Sequence, residues 1–431
     1  MELTDILNRD IICPCGRTHR CDIRRLCIEE GALDRLSDLV TESHVLLVAD
    51  TNTWAVCGEA VLSQLKHRVE NRCIFQRQGH LVPNEESLEE LRSHITEHTD
   101  LILGIGSGVI NDLCKYVSWQ KNLPCGIVAT APSMDGFASS GAAMILKGMK
   151  VTETTHAPDL ILGDVTLLKQ APMNMIRSGY ADIIGKYSAL NDWKLSEQIY
   201  GEYLCPMVYD LVKEKTDAIR AAAKDLNQRD PEAIRRLTET LVLIGACLTL
   251  LSTTRPGSGS EHHLSHYFEI TGLIEKKPYF LHGTDVGYST IVTAGLREKI
   301  CTVASPDFQS ISKEAREACY RKIYKEFWPE VQALQQKAGR YDTPIYHRYR
   351  EHWGDVIKIL SECPTAAEIA EMLTDAGFDL SEFEALYGKE RIERGIWFGK
   401  DLKDRYSVLW LYYDLFINES EAKNIYESKH L

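Results

Sequence analysis

Short runs of aliphatic and β-branched residues alternate with amphipathic stretches through the first 165 residues of the chain. Val45-Leu46-Leu47-Val48-Ala49-Asp50, Arg72-Cys73-Ile74-Phe75, Leu101-Ile102-Leu103-Gly104-Ile105 and Gly126-Ile127-Val128-Ala129-Thr130 read as buried strands. Between them, the segment from Glu85 to His98 sets Leu88, Leu91 and Ile95 on one helical face. This alternation predicts a parallel sheet with helices on both faces, whose ligands bind beyond the carboxyl ends of the strands. After about Asp164 the strand-like runs stop. Asp230-Pro231-Glu232 predicts an N-cap followed by proline at the first helical position, opening a helix that runs to about Leu251. Thr254-Arg255-Pro256-Gly257-Ser258-Gly259 breaks it, and Cys363-Pro364-Thr365 opens a later helix that Gly377 ends. Val408 to Tyr413 is apolar enough for the core or a subunit contact. The pattern predicts an α/β, Rossmann-like nucleotide-binding domain over residues 1–170 and an all-α domain over residues 171–431.

Composition narrows the function. A chain of 431 residues with 44% hydrophobic and 26% charged content is long enough for two well-packed domains. Its formal charge of −13 argues against nucleic acid or an anionic membrane surface as partner. No apolar run reaches the roughly 20 residues that a bilayer requires, and the first residues lack a basic-then-apolar leader, so a cytoplasmic protein without membrane insertion is expected. The 13 cysteines are scattered and odd in number, as expected of reduced thiols. One group departs from that scatter: Cys13-Pro14-Cys15-Gly16, with His19, Cys21 and Cys27 behind it. A zinc knuckle competes there with a tight turn, and the turn is favoured because Cys-x-Cys is short and no second pair balances it.

Three segments carry candidate chemistry. In Gly259-Ser260-Glu261-His262-His263-Leu264-Ser265-His266, two imidazoles four residues apart share one helix face, and Leu281-His282-Gly283 brings a third. Such nitrogen donors suit a divalent metal with an open position, and Asp182 in Gly179-Tyr180-Ala181-Asp182 is a candidate carboxylate; a histidine-bearing surface helix is the alternative. The strand Leu101–Ile105 runs into Gly106-Ser107-Gly108-Val109-Ile110-Asn111-Asp112, where glycines and a helix N-terminus can approach a pyrophosphate. The spacing is neither a Rossmann fingerprint nor a Walker motif, so a plain strand-to-helix turn competes. Thr130-Ala131-Pro132-Ser133-Met134-Asp135-Gly136, followed by Ser139, offers small hydroxyls for a nicotinamide ribose or amide, or simply caps a turn. Asp50 at a strand end suits a ribose 2′-hydroxyl, which would favour NAD, though aspartates are common in turns.

Together, Gly106-Ser107-Gly108 with Asp112 and Lys115, the Ala131-Pro132-Ser133-Met134-Asp135-Gly136 block, Gly179-Tyr180-Ala181-Asp182 with Lys186, Ser258-Gly259-Ser260-Glu261-His262 with His266, and His282-Gly283 resemble the superfamily of iron-dependent alcohol dehydrogenases, glycerol dehydrogenases and dehydroquinate synthases. The resemblance spans residues 45 to 290 and is most specific to the glycerol-1-phosphate branch. It implies a dehydroquinate synthase-like architecture and metal ligands Asp182, His262 and His282. It further implies a substrate-facing His266 with catalytic duty, substrate contacts at Asp135 and Asp182, and cofactor contacts at Gly106, Gly108, Val109, Ile110, Asn111, Asp112, Thr130, Ala131, Pro132, Ser133 and Ser139.

The activity so implied is NAD(P)H-linked interconversion of dihydroxyacetone phosphate and sn-glycerol 1-phosphate, a step of phospholipid metabolism, with one nickel, zinc or iron(II) ion per chain and a homodimeric assembly. Lys186 and Arg255 are candidates for the substrate phosphate, with a solvated role equally open. Rival readings are a dehydrogenase of unphosphorylated glycerol, a dehydroquinate synthase-like lyase and a catalytically silent binding module. Ser107 replaces a glycine common among relatives, and residues after about 300 match no assigned motif.

Overall fold

The structure, a computed structural model, describes residues 1–77, 79, 81–147 and 149–428. Its strands are β1 (Ile11–Ile12), β2 (Thr18–His19), β3 (Arg25–Glu29), β4 (Val45–Asp50), β5 (Val69–Phe75), β6 (Leu101–Gly106), β7 (Cys125–Ala129), β8 (Gly141–Leu146), β9 (Met149–Thr154) and β10 (Leu160–Asp164). Six form one sheet in the order β3-β10-β7-β6-β4-β5, and every neighbouring pair runs parallel. β1–β2 and β8–β9 are antiparallel hairpins. β6, β7 and β10 are buried from end to end, which is why their sequences lack polar alternation. The chain leaves β4 toward one edge to make β5, then returns to lay β6 on the other side of β4. That reversal opens a crevice at the carboxyl ends of β4 and β6, the usual ligand position in an open α/β sheet.

All four strands read from the sequence are present, while β3, β10 and the β8–β9 hairpin extend beyond that reading. The helix expected to reach His98 stops at Ser93. Beyond it, Thr96 and Thr99 bond locally, with Thr96 N donating to Thr99 Oγ1 at 3.0 Å, and such side-chain bonds compete with helix propagation.

The chain divides into two compact units, Met1–Ile183 with Pro206–Gly257, and Ile184–Cys205 with Ser258–Leu431. The division therefore differs from the expected boundary at residue 170. The helix Pro231–Leu251, expected in the second domain, belongs to the first, and its packing explains why. A Cβ added at Gly245 would lie 2.6 Å from Asp135 O, so the glycine lets the helix backbone press against the 135–140 loop. One turn on, Thr249 Oγ1 accepts from Ser140 N at 2.8 Å and donates to Ala138 O at 2.9 Å.

The second unit is all-α among its described residues. Its framework includes the helices Lys186–Tyr200, Ser260–Glu275, His282–Cys301, Ala366–Asp375 and Val408–Phe416. At its centre Arg297 pairs with Asp192 at 2.9 Å, both buried, while Asp192 Oδ2 accepts from Ser260 N at 2.6 Å. That bond fixes the start of the helix Ser260–Glu275. No described helix is long and apolar enough to cross a membrane.

Candidate active site

In the first unit the sequence-predicted cofactor residues converge on the carboxyl ends of β6 and β7. The strand β6 ends at Gly106, and the helix Gly108–Lys121 starts after Ser107. A Cβ at Gly106 would meet Ile110 Cγ1 at 2.6 Å, so the side chain of Ile110 turns inward and only backbone can face a ligand there. Ser107 Oγ bonds Ser133 Oγ, and Thr130 N donates to Gly106 O at 3.0 Å, joining the two strand ends. The N–H groups opening a 14-residue helix are therefore presented beside Thr130–Ser133, an arrangement suited to an anionic pyrophosphate. Met134, which was not singled out, lies over this helix start: a Cβ on Gly108 would be 3.2 Å from its terminal methyl.

Other predicted contact residues bond protein groups as well. Asp112 Oδ2 accepts from Ala143 N at 3.1 Å and Oδ1 pairs with Lys115 Nζ at 3.0 Å. Asn111 Nδ2 donates to Gly136 O at 3.3 Å, and Ser139 Oγ accepts from Gly141 N at 2.9 Å. These side chains shape the 136–141 loop. Asp50 Oδ1 caps its own helix by accepting from Asn52 N and Thr53 N, each at 2.8 Å, which is the turn role weighed above.

The two acids expected at the substrate are joined in this unit, the backbone of one to the carboxylate of the other. Asp135 N donates to the Oδ2 of Asp182 at 3.0 Å, and both side chains are buried. The helix Met173–Ile184 carries Asp182 there by direct backbone contact, because a Cβ at Gly179 would fall 1.9 Å from Pro132 O. Ser178 Oγ adds a bond to Ser133 O at 3.1 Å. The Gly179-Tyr180-Ala181-Asp182 motif thus has a steric origin.

In the second unit three imidazoles face one another. The ring centroids of His262 and His282 are 5.0 Å apart, those of His266 and His282 5.7 Å, and those of His262 and His266 6.2 Å. Each of the first pair is held through Nδ1. His262 Nδ1 donates to Glu261 Oε1 at 2.7 Å, and His282 Nδ1 lies 3.3 Å from Ser265 Oγ. Glu261 is held in turn by Gly259 N at 2.6 Å. Partners on Nδ1 turn Nε2 of both rings to the opposite side, as metal-binding histidines require. The donor set fits a divalent metal. His263 is buried rather than exposed, and Lys186 and Arg255 are buried as well, which removes the solvated role for both. Lys403 and Arg405 were missed because nothing near them in sequence marks them. Lys403 Nζ donates to Ser258 Oγ and Arg405 Nη1 to Ser258 O, each at 3.1 Å, so two cations gather just ahead of the histidine helix.

Residues 27–172 match the iron-containing alcohol dehydrogenase family. The glycerol-1-phosphate dehydrogenase [NAD(P)+] of Halalkalibacterium halodurans is 36% identical over 318 residues, 70% of this chain and 79% of that protein. That of Geobacillus stearothermophilus is 26% identical over 94% of this chain and 95% of its own. The chain belongs to the glycerol-1-phosphate dehydrogenase family. Solved structures agree on the fold of that wider group. Glycerol dehydrogenase from Schizosaccharomyces pombe has a TM-score of 0.54 at 16% identity, covering 94% of this chain and 88% of that one. An archaeal Red Sea brine pool alcohol dehydrogenase reaches 0.58 at 14% identity, covering 95% of this chain and 97% of its own.

In this glycerol-1-phosphate dehydrogenase family member the lysine of the glycine-turn helix is a strut. Lys115 is fully buried, and its Nζ donates to Gly136 O at 3.0 Å, Ser139 O at 3.2 Å and Gly141 O. Lys115→Met leaves those carbonyls and Asp112 short of a buried cation, so unfolding in denaturant should show a loss of about 3 kcal/mol. Unchanged stability would mean the loop stands without it.

Proposed function

We propose that this protein is a metal-dependent NAD(P)H oxidoreductase interconverting dihydroxyacetone phosphate and sn-glycerol 1-phosphate. The observation that carries the reading is the trio of facing histidines whose Nδ1 partners orient two rings for a metal, in a chain 36% identical to a relative of that name. His262, His282 and Asp182 would hold the ion; two imidazoles and a carboxylate accommodate nickel, zinc and iron(II) alike, and the family resemblance favours nickel or zinc. When bound, the metal supplies a Lewis acid for the substrate carbonyl. The reduced nicotinamide supplies hydride.

The chain's own residues do the rest. The backbone at Gly106 to Val109 and at Thr130 to Ser133 binds and orients the dinucleotide. Asp182 and Asp135 meet the polyol end of the substrate, with Asp182 held in place by the hydrogen bond its Oδ2 accepts from the Asp135 backbone N. An imidazole nitrogen of His266, one helical turn from His262, delivers a proton to the carbonyl oxygen during reduction and takes it back in oxidation. Lys403 and Arg405 receive the substrate phosphate, because charge-assisted bonds to phosphate need cations beside the reacting end.

The test is oxidation of NADH and of NADPH by dihydroxyacetone phosphate, using chelator-stripped protein with nickel, zinc or iron restored singly. Turnover restored by metal, and absent with unphosphorylated dihydroxyacetone, is expected. No turnover with any metal would remove the substrate assignment. In the same assay Lys403→Ala should raise the KM for dihydroxyacetone phosphate about tenfold with little change in kcat; an unchanged KM would take Lys403 out of the phosphate site.

A further inference from the structure

The hairpin β1–β2 bends Cys13-Pro14-Cys15-Gly16-Arg17-Thr18-His19 into a turn that the reaction does not use. Ile11 pairs with His19 and Ile12 with Thr18. Cys13 N donates to Arg17 O and Gly16 N to Cys13 O, each at 3.0 Å. Gly16 adopts φ +85°, which glycine reaches without steric penalty. The result is that Cys13, Cys15 and His19 each present a ligand atom within 4.8 Å of the others. Cys15 Sγ and His19 Nε2 are 3.3 Å apart. A tetrahedral zinc ion, with sulfur at ~2.3 Å and nitrogen at ~2.1 Å, separates two such ligands by about 3.6 Å. The other ring nitrogen supports the same tautomer: His19 Nδ1 lies 3.2 Å from Leu250 O. A carbonyl can only accept, so the proton sits on Nδ1 and the Nε2 lone pair points toward Cys15.

We propose that Cys13, Cys15, His19 and Cys205 hold a structural zinc ion in addition to the active-site metal. Cys205 is the fourth ligand because its sulfur completes a set of four ligand atoms that all lie within 4.8 Å of one another. Three sulfurs and one imidazole select zinc over magnesium, calcium or manganese, which prefer oxygen. Binding converts three thiols to thiolates with release of three protons, while His19 enters neutral. Four protein ligands leave no open position, so this ion anchors the hairpin to the helix Pro231–Leu251 through Leu250 and takes no part in turnover.

The experiment is elemental analysis of the full-length protein as purified. Wild type should carry zinc at this site plus the active-site metal. His262→Ala should retain one zinc per chain, and Cys15→Ser should lose that zinc while keeping the active-site metal and turnover. If the active-site reading fails but this one holds, wild type carries one zinc, lost only in Cys15→Ser. Should Cys15→Ser not fold, X-ray absorption on His262→Ala decides, with sulfur neighbours near ~2.3 Å expected. Absence of zinc from His262→Ala, zinc with nitrogen and oxygen neighbours alone, or an intact mass two hydrogens lighter from a disulfide would each overturn the proposal.

Discussion

Replacing His262 with alanine should strip the active-site metal from an otherwise folded protein and lower turnover of dihydroxyacetone phosphate by about a thousandfold or more. The size follows from what the ion contributes. Polarising a carbonyl is worth several kcal/mol of transition-state stabilisation, and each 1.36 kcal/mol is tenfold in rate. The substitution also leaves Glu261 without the Nδ1 donor it holds at 2.7 Å, although Gly259 N still satisfies the same oxygen. Two companion variants separate the roles. Glu261→Gln keeps the imidazole but weakens its orientation, so metal affinity should fall about 10- to 100-fold. His266→Ala should keep the metal and lose about 10²- to 10⁴-fold in kcat, as expected for a proton-transfer residue. Metal analysis beside steady-state kinetics reads all three. If His262→Ala retains the active-site metal and turnover, His262 is not a ligand.

The parts of this molecule that were legible in the sequence are those governed by local rules. Buried parallel strands declare themselves by continuous apolar runs, and β4, β6 and β7 appear within a residue of where those runs lie. The helix Pro231–Leu251 was marked by its cap and proline, and Asp230 Oδ1 does accept from Ala233 N at 2.9 Å. The helix Ala366–Asp375 is opened by the Thr365 and Glu368 capping box. Long-range packing was not legible. Nothing local says that Gly245 is glycine because a distant loop lies against it, so the helix's place in the first unit was not legible. The same gap explains the side chains of Asn111, Asp112 and Ser139. Their residue types suit a ligand, but only tertiary structure reveals the backbone groups they already satisfy. The pair His262 and His266 was legible as a motif because its spacing is helical, whereas the cations at Ser258 come from a segment some 145 residues away and leave no pattern.

Gly179→Ala should damage both stability and turnover, although it adds one methyl group. The new Cβ would stand 1.9 Å from Pro132 O and 2.9 Å from Pro132 C, and neither atom belongs to a flexible side chain. Leu241 limits retreat on the other side, with its Cδ1 at 3.2 Å. The helix Met173–Ile184 must therefore move away from the Ala131-Pro132-Ser133 strand end by an ångström or more. That strand end borders the glycine turn through the Ser107–Ser133 hydroxyl pair, and the same helix carries Asp182 to its bond with Asp135 N. Overpacking of this kind costs about 1–3 kcal/mol. A displacement of about 1 Å at a site that orients reacting groups costs about a hundredfold in rate. The expected result is a lower unfolding midpoint together with a fall of about a hundredfold in kcat/KM. Gly201→Ala serves as a control, since space around Gly201 is open and its φ of +65° confines any penalty to the local turn. If Gly179→Ala matches that control in both measurements, the helix does not set the position of Asp182 by backbone contact, and the coupling between the glycine turn and Asp182 must run through side chains alone.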